Sequence, residues 1–203
     1  MTRVNGIRIE NHRYISLKSA FVYLMSMNIL IRGRPGSGKS TAVSFIIRKV
    51  RNAKEDLKIG GIVTPEIRLK GRRTGFKVVD LLTGDEMILA SVSLQGPRVG
   101  KYFVDVRGFD EFLEVHRRSW TDSELIVVDE IGKMELLSET FKRYVLNALN
   151  LEKPVVATAP YYRLPFLDEI LRRKDVEVVW MKRGLAEAIA SEISERVIAA
   201  LGL

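Results

Sequence analysis

The chain has 203 residues, 46% hydrophobic and 29% charged, a balance that suits one globular domain with a single substantial core. With no cysteine and only His12 and His116, it offers no disulfide, no thiolate metal site and no histidine cage for a metal. The net charge of +8 calls for an anionic partner, yet the basic residues fall in short groups beside acidic ones, which suits phosphate-bearing substrates better than a nucleic acid.

Arg3, Arg8, Arg13 and Lys18 precede an apolar run from Ala20 to Met25 that has the superficial look of a secretion signal. That run leads straight into Asn28 to Ile31, needed below as the first core strand. Residues 1–27 are therefore expected to be a dispensable N-terminal extension, and residues 28–203 a single domain. No stretch approaches the ~20 uninterrupted apolar residues of a membrane span. Asn28 to Ile31 reads as a short buried strand ending at Gly33, and Lys39 to Lys54 carries Val43, Ile46, Ile47 and Val50 on one helical face. Short β-type runs follow at Gly61 to Ile67, Gly75 to Leu82, Met87 to Val92 and Lys101 to Val106, with Thr83-Gly84-Asp85 as a turn.

Helical spacing returns at Phe109 to His116, with Asp110 and Glu111 as carboxylates suited to its N-terminus. Leu125 to Val128 is a continuous apolar run, Glu135 to Leu149 a helix, and Pro154 to Ala159 a strand whose first residue tolerates proline. Leu164 to Arg173 reads as helix, Val176 to Met181 as strand, and Leu185 to Leu201 as an alanine-rich closing helix. Apolar strands alternating with helices predict an α/β fold of three layers: a mostly parallel central sheet covered on both faces, with added antiparallel strands.

Gly33-Arg34-Pro35-Gly36-Ser37-Gly38-Lys39-Ser40 matches the phosphate-loop pattern G-x-x-x-x-G-K-[ST] at every fixed position, and Thr41 continues it. The glycines let several backbone N–H groups point at one anion, and the following helix adds its positive end. Lys39 is expected to reach the β- and γ-phosphates, and the Ser40 hydroxyl to ligate magnesium. Asp129 closes the run Leu125-Ile126-Val127-Val128, where a carboxylate can hold that magnesium or its waters. Glu130, next in line, is the candidate general base for a water aimed at the γ-phosphate, which points to hydrolysis. Weaker candidates are Thr158 as a γ-phosphate sensor and Arg34 or Arg163 as stabilisers of transition-state charge. No Asn-Lys-x-Asp guanine motif is present, which speaks against a switch GTPase.

Beyond these motifs, the stretches Gly60 to Arg68, Gly71 to Phe76, Gly96 to Tyr102, Val128 to Glu135 and Pro154 to Thr158 resemble those of the small nucleoside-triphosphatases first described from thermophiles. The resemblance runs from about Asn28 to Met181. It implies a RecA-like core, magnesium, and hydrolysis of ATP, GTP, CTP and UTP with little base preference. It also implies that Val127, Val128, Ile131 and Gly132, around Asp129 and Glu130, belong to the nucleotide contact. The first 27 residues and the segment Ala159 to Arg163 depart from the family's pattern.

The expected protein is a cytoplasmic, monomeric, magnesium-dependent nucleoside-triphosphatase without a membrane partner. Two alternatives use the same loop. A kinase would pass the phosphoryl group to a nucleoside, nucleotide or polynucleotide end held by Arg68, Arg72 and Arg73. A nucleic-acid-stimulated ATPase would draw on the positive charge.

Overall fold

The computed structural model describes residues 27–203 and two N-terminal strands, β1 (Gly6–Ile9) and β2 (Arg13–Ser16), which pair antiparallel. Apart from that pair and Met27, the expected extension lies outside the described residues. The chain continues through β3 (Asn28–Gly33), α1 (Lys39–Ala53), β4 (Ile59–Val63), β5 (Glu66–Leu69), β6 (Arg72–Asp80) and β7 (Glu86–Ser91). Then come β8 (Arg98–Val99), β9 (Tyr102–Val104), α2 (Val106–Val115), α3 (Arg117–Thr121) and β10 (Leu125–Asp129). A 3-10 turn at Glu135–Leu137, α4 (Glu139–Leu149), β11 (Val155–Pro160), α5 (Pro165–Leu171), β12 (Val176–Trp180) and α6 (Ala186–Ala200) complete it.

One sheet carries ten of these strands in the order β12-β3-β11-β10-β4-β6-β7-β9-β8, with β5 paired to β6. The first five run parallel, and the strands beyond β4 are antiparallel, as the change of pattern after Ile59 predicts. Successive residues of a buried strand feed opposite faces. In β3, Ile29 and Ile31 join one apolar cluster and Leu30 the other; in β10, Leu125 and Val127 divide from Ile126 and Val128 in the same way. On the first face α1 and α6 pack through Ala42, Val43, Ile46 and Val50 against Ala190, Ile193 and Val197. The other face is covered by α2, α4 and α5 through Phe109, Leu113, Phe141, Val145, Leu167 and Ile170. No described helix is long and apolar enough to cross a membrane.

Several element boundaries differ from those expected, each for a local reason. The run Gly61 to Ile67 divides into β4 and β5, because Thr64 turns aside to bond Asp129 and Pro65 has no N–H to extend a ladder. The expected Lys101 to Val106 strand keeps only its centre, since Val106 already opens α2. That helix is capped by Asp105, whose carboxylate accepts from Gly108 N at 2.9 Å, and not opened by Asp110 and Glu111. Asp110 instead accepts a hydrogen bond from Ser138, which itself caps α4 by accepting from Phe141 N at 2.8 Å. Ser138 thus splits the expected Glu135 to Leu149 helix. The short helix α3 had no forecast in the pattern.

The β4 strand passes very close to α3. A Cβ built on Gly60 would lie 1.7 Å from the Ser119 carbonyl oxygen, and one on Gly61, at φ +89°, 2.1 Å from that of Val127. Both obstacles are backbone. Gly60→Ala is therefore expected to cost about 2 kcal/mol or more, lowering Tm by at least about 5 °C. Thermal denaturation checks this, and an unchanged Tm would mean that β4 can move away from α3.

Candidate active site

The carboxyl ends of β3, β11 and β10 lie side by side, so the loops that follow them meet at one edge of the sheet. After β3 the chain turns through Arg34 to Ser37 and enters α1 at Lys39. Gly36 and Gly38 sit at φ 70° and 101°, and Ser37 N donates to the Arg34 carbonyl at 3.1 Å. No side chain caps α1 and its first turn holds no acid, so its leading N–H groups have neither a capping oxygen nor a competing carboxylate. The buried Ser37 hydroxyl likewise has no hydrogen-bond partner. A buried unpartnered hydroxyl beside an uncapped helix start suits the oxygens of an anion. Ser40 and Thr41 are exposed at the same end of α1.

Lys39 is 7% exposed; its ammonium donates to the Gly33 carbonyl at 3.2 Å and lies 3.9 Å from a Glu130 carboxylate oxygen. Asp129, also 7% exposed, accepts a hydrogen bond from the Thr158 hydroxyl on β11. The Asp129–Glu130 segment is gripped from both neighbouring strands. From the β4 side, Thr64 donates to the Asp129 carbonyl through its N–H at 2.6 Å and its hydroxyl at 2.7 Å. The same hydroxyl accepts from Glu130 N at 3.2 Å. From the β11 side, Ile131 N donates to the Thr158 carbonyl at 2.8 Å. Burial raises the Glu130 pKa, Lys39 opposes that, and Asp129 adds to it.

A third carboxylate lies behind these two. Glu135 packs so tightly under Gly132 that a Cβ there would meet one of its oxygens at 2.7 Å. Burial, helped by the charges of Glu130 and Asp129, pushes its pKa up to about 8. It is therefore a neutral acid at pH 7. Tyr162 is raised by burial and then by Glu130 and Glu135, and the Lys133 ammonium lies 5.0 Å from its ring centroid. Lys133 thus faces Tyr162, and the cation beside Glu130 is Lys39.

The structure brings the loop, Asp129, Glu130 and Thr158 together, with Thr158 fully buried and bonded to Asp129. Arg34 leans on the Tyr161 ring at 5.6 Å, and Arg163 is paired with Asp168 on α5 at 2.8 Å. Arg68 and Arg73 are both tied to Glu66, and Arg73 also to the Tyr102 hydroxyl at 3.0 Å, which leaves Arg72 alone of the proposed acceptor cluster without such a tie. Sequence reasoning missed Thr64 and Glu135. A threonine immediately before proline at the end of a strand was the signal for the first. For the second, only a carboxylate close to Gly132 gave any hint.

The set is chemically coherent. Oxygen donors alone, a hydroxyl and a carboxylate, suit magnesium, which keeps several waters and takes its other ligands from phosphates.

A family model described as NTPase matches residues 28–194. The nucleoside-triphosphatase THEP1 of Korarchaeum cryptofilum is 41% identical over 170 residues, covering 83% of this chain and 85% of that protein. The one from Methanothermobacter thermautotrophicus is 43% identical over 155 residues, covering 75% and 85%. Among solved structures, THEP1 from Aquifex aeolicus superposes with a TM-score of 0.68 at 31% identity, over 82% of this chain and 96% of that one. A human cancer-related nucleoside triphosphatase gives 0.69 at 29% identity, over 86% and 98%.

Glu135 generates a pH prediction. Its folded pKa is raised from the model-compound value of 4.5 to about 8, so the native state holds a proton that the unfolded chain releases. The stability owed to that neutral acid is complete below about pH 4.5 and is lost as pH rises to about 8. Glu135→Gln, neutral throughout, should match the wild type near pH 4.5 and exceed it above pH 8, by on the order of a few kcal/mol. Denaturant unfolding across that range checks it; a constant gap between the two proteins would refute it.

Proposed function

The chain belongs to the NTPase family, and we propose that it hydrolyses the γ-phosphate of ATP, GTP, CTP and UTP, with magnesium, using Glu130 as general base. It is a nucleoside-triphosphate phosphohydrolase with a P-loop α/β fold, as the family match and the ~40% identical nucleoside-triphosphatases establish. The observation that carries the base assignment is the 3.9 Å approach of Glu130 to Lys39. It sets a proton acceptor beside the cation assigned to the terminal phosphates.

The loop amides and the start of α1 hold the phosphate chain. Lys39, freed from the Gly33 carbonyl, reaches the β- and γ-oxygens and offsets their charge. Glu130 accepts a proton from a water, whose oxygen attacks the γ-phosphorus in line. The bond from that phosphorus to the β–γ bridging oxygen breaks, leaving a nucleoside diphosphate and inorganic phosphate. Ser40 and Asp129 are the donors that would hold magnesium, and the ion, when bound, would supply neutralisation of the phosphate charge. Thr158 aims the Asp129 carboxylate, and Thr64 fixes the backbone from which Glu130 projects. Arg34 keeps a place in the nucleotide contact through the loop, whereas Val127, Val128 and Ile131 are buried in the core at 0%, 0% and 1% and, with the buried Gly132, support the site from within.

Residues 28–203 are assigned as the catalytic domain because the family match begins at residue 28. The substrate favours a cytoplasmic setting.

Glu130→Gln should retain nucleotide affinity while turnover falls on the order of a hundredfold or more. Calorimetry and phosphate release measure the two separately, and a parallel loss of both would make Glu130 a structural residue. Lys39→Ala should abolish tight binding. In a panel of the four triphosphates with magnesium, phosphate is expected without any acceptor; label arriving on a nucleoside or polynucleotide would select a kinase instead.

A further inference from the structure

A cleft of about 740 Å³ opens beside the phosphate loop, on the side of β12. Residues 33–37 form its floor, and its walls come from Tyr161, after β11, and from residues 180–183, at the end of β12 and just beyond it. Because β11 and β12 flank β3 in the sheet, these walls rise on either side of the loop. Tyr161 and Trp180 are the most exposed aromatic side chains among the described residues, at 47% and 54%. The other tryptophan, Trp120, is buried in the core at 2%. Large rings left open at a concave site are costly unless something flat covers them.

The rings are held in place from behind. Arg32, a buried residue of β3, donates through Nε to the Pro160 carbonyl and through Nη2 to those of Tyr161 and Tyr162, each at 3.1 Å. Its guanidinium also lies 5.0 Å from the Trp180 ring centroid. One buried cation therefore braces both walls before any ligand arrives. Arg34, Lys182 and Arg183 add three positive charges to the lining, which contains no carboxylate and no side-chain amide.

We propose that this cleft takes the base and ribose of the bound nucleotide, with the base stacked on Trp180 and Tyr161. The inference rests on the loop holding the triphosphate, as proposed above, and adds where the nucleoside goes. Stacking accepts any base, because each has a π face, whereas telling bases apart requires fixed donors and acceptors on their edges. Flexible cations and aromatic faces supply the first and not the second. This accounts for loose base choice and favours purines, whose larger rings cover more of the two side chains.

The test compares ATP and GTP with inorganic tripolyphosphate, which has the phosphates and no nucleoside, by calorimetry on the wild type, Trp180→Ala, Trp180→Phe and Lys39→Ala. Trp180→Ala should bind ATP and GTP about tenfold more weakly and tripolyphosphate as before. Trp180→Phe, which keeps a ring, should recover part of the loss. Tryptophan emission of the wild type should change with ATP and not with tripolyphosphate, since Trp120 is remote in the core. Unaltered ATP affinity in Trp180→Ala overturns the cleft assignment, as does an equal loss for tripolyphosphate. Failure of the loop reading would look different: Lys39→Ala would then bind both ligands like the wild type.

Discussion

The Lys39 side chain lies in a nearly dry place at the mouth of the phosphate loop, and the rest of the site is arranged around it. Its ammonium is held by one carbonyl of the loop and by the field of Glu130. Neither is a close ion pair. A tight salt bridge would have satisfied the charge and opposed its release, whereas a carbonyl and a carboxylate at 3.9 Å hold it loosely. The same carboxylate is the proposed base. On that proposal, substrate binding would withdraw the cation from the acid and leave the acid free to take a proton.

Two threonines make this arrangement rigid. Thr64 and Thr158 come from strands on opposite sides of β10, and each bonds to the Asp129–Glu130 segment. Three acids crowd this corner, and they coexist because they are unequal. Asp129 is hydrogen-bonded, Glu130 faces a lysine, and Glu135 is kept neutral by burial. Like charges at this spacing would otherwise push one another out of the fold.

Much of this was legible in the sequence. The phosphate loop, the strand before it and the helix after it followed from fixed spacing, and the apolar run ending at Asp129 marked a buried strand. The alternation of Ile29, Leu30 and Ile31 between two clusters is what a continuous apolar run in a doubly covered sheet must produce. What stayed hidden depended on contacts between distant segments. Pattern alone joined β4 to β5, because the pull of Asp129 on Thr64 spans 65 residues. Glu135 stood only as the first residue of an expected helix, and its burial depends on contacts that spacing does not show. Arg32 was another overlooked signal in plain view. A charged residue directly after Ile29-Leu30-Ile31, in a fully buried strand, needs partners, and here they are the carbonyls of the cleft wall.

The order of strands in the sheet has a consequence for the protein's synthesis. The strand that launches the loop is made first, at residues 28–33, but its neighbours on both sides, β11 and β12, follow only at residues 155–160 and 176–180. The helix that packs against α1 is later still. A ribosome-bound polypeptide therefore carries the complete glycine-lysine motif long before that motif has walls, and nucleotide capture has to wait until the strands at Val155–Pro160 and Val176–Trp180 have been made.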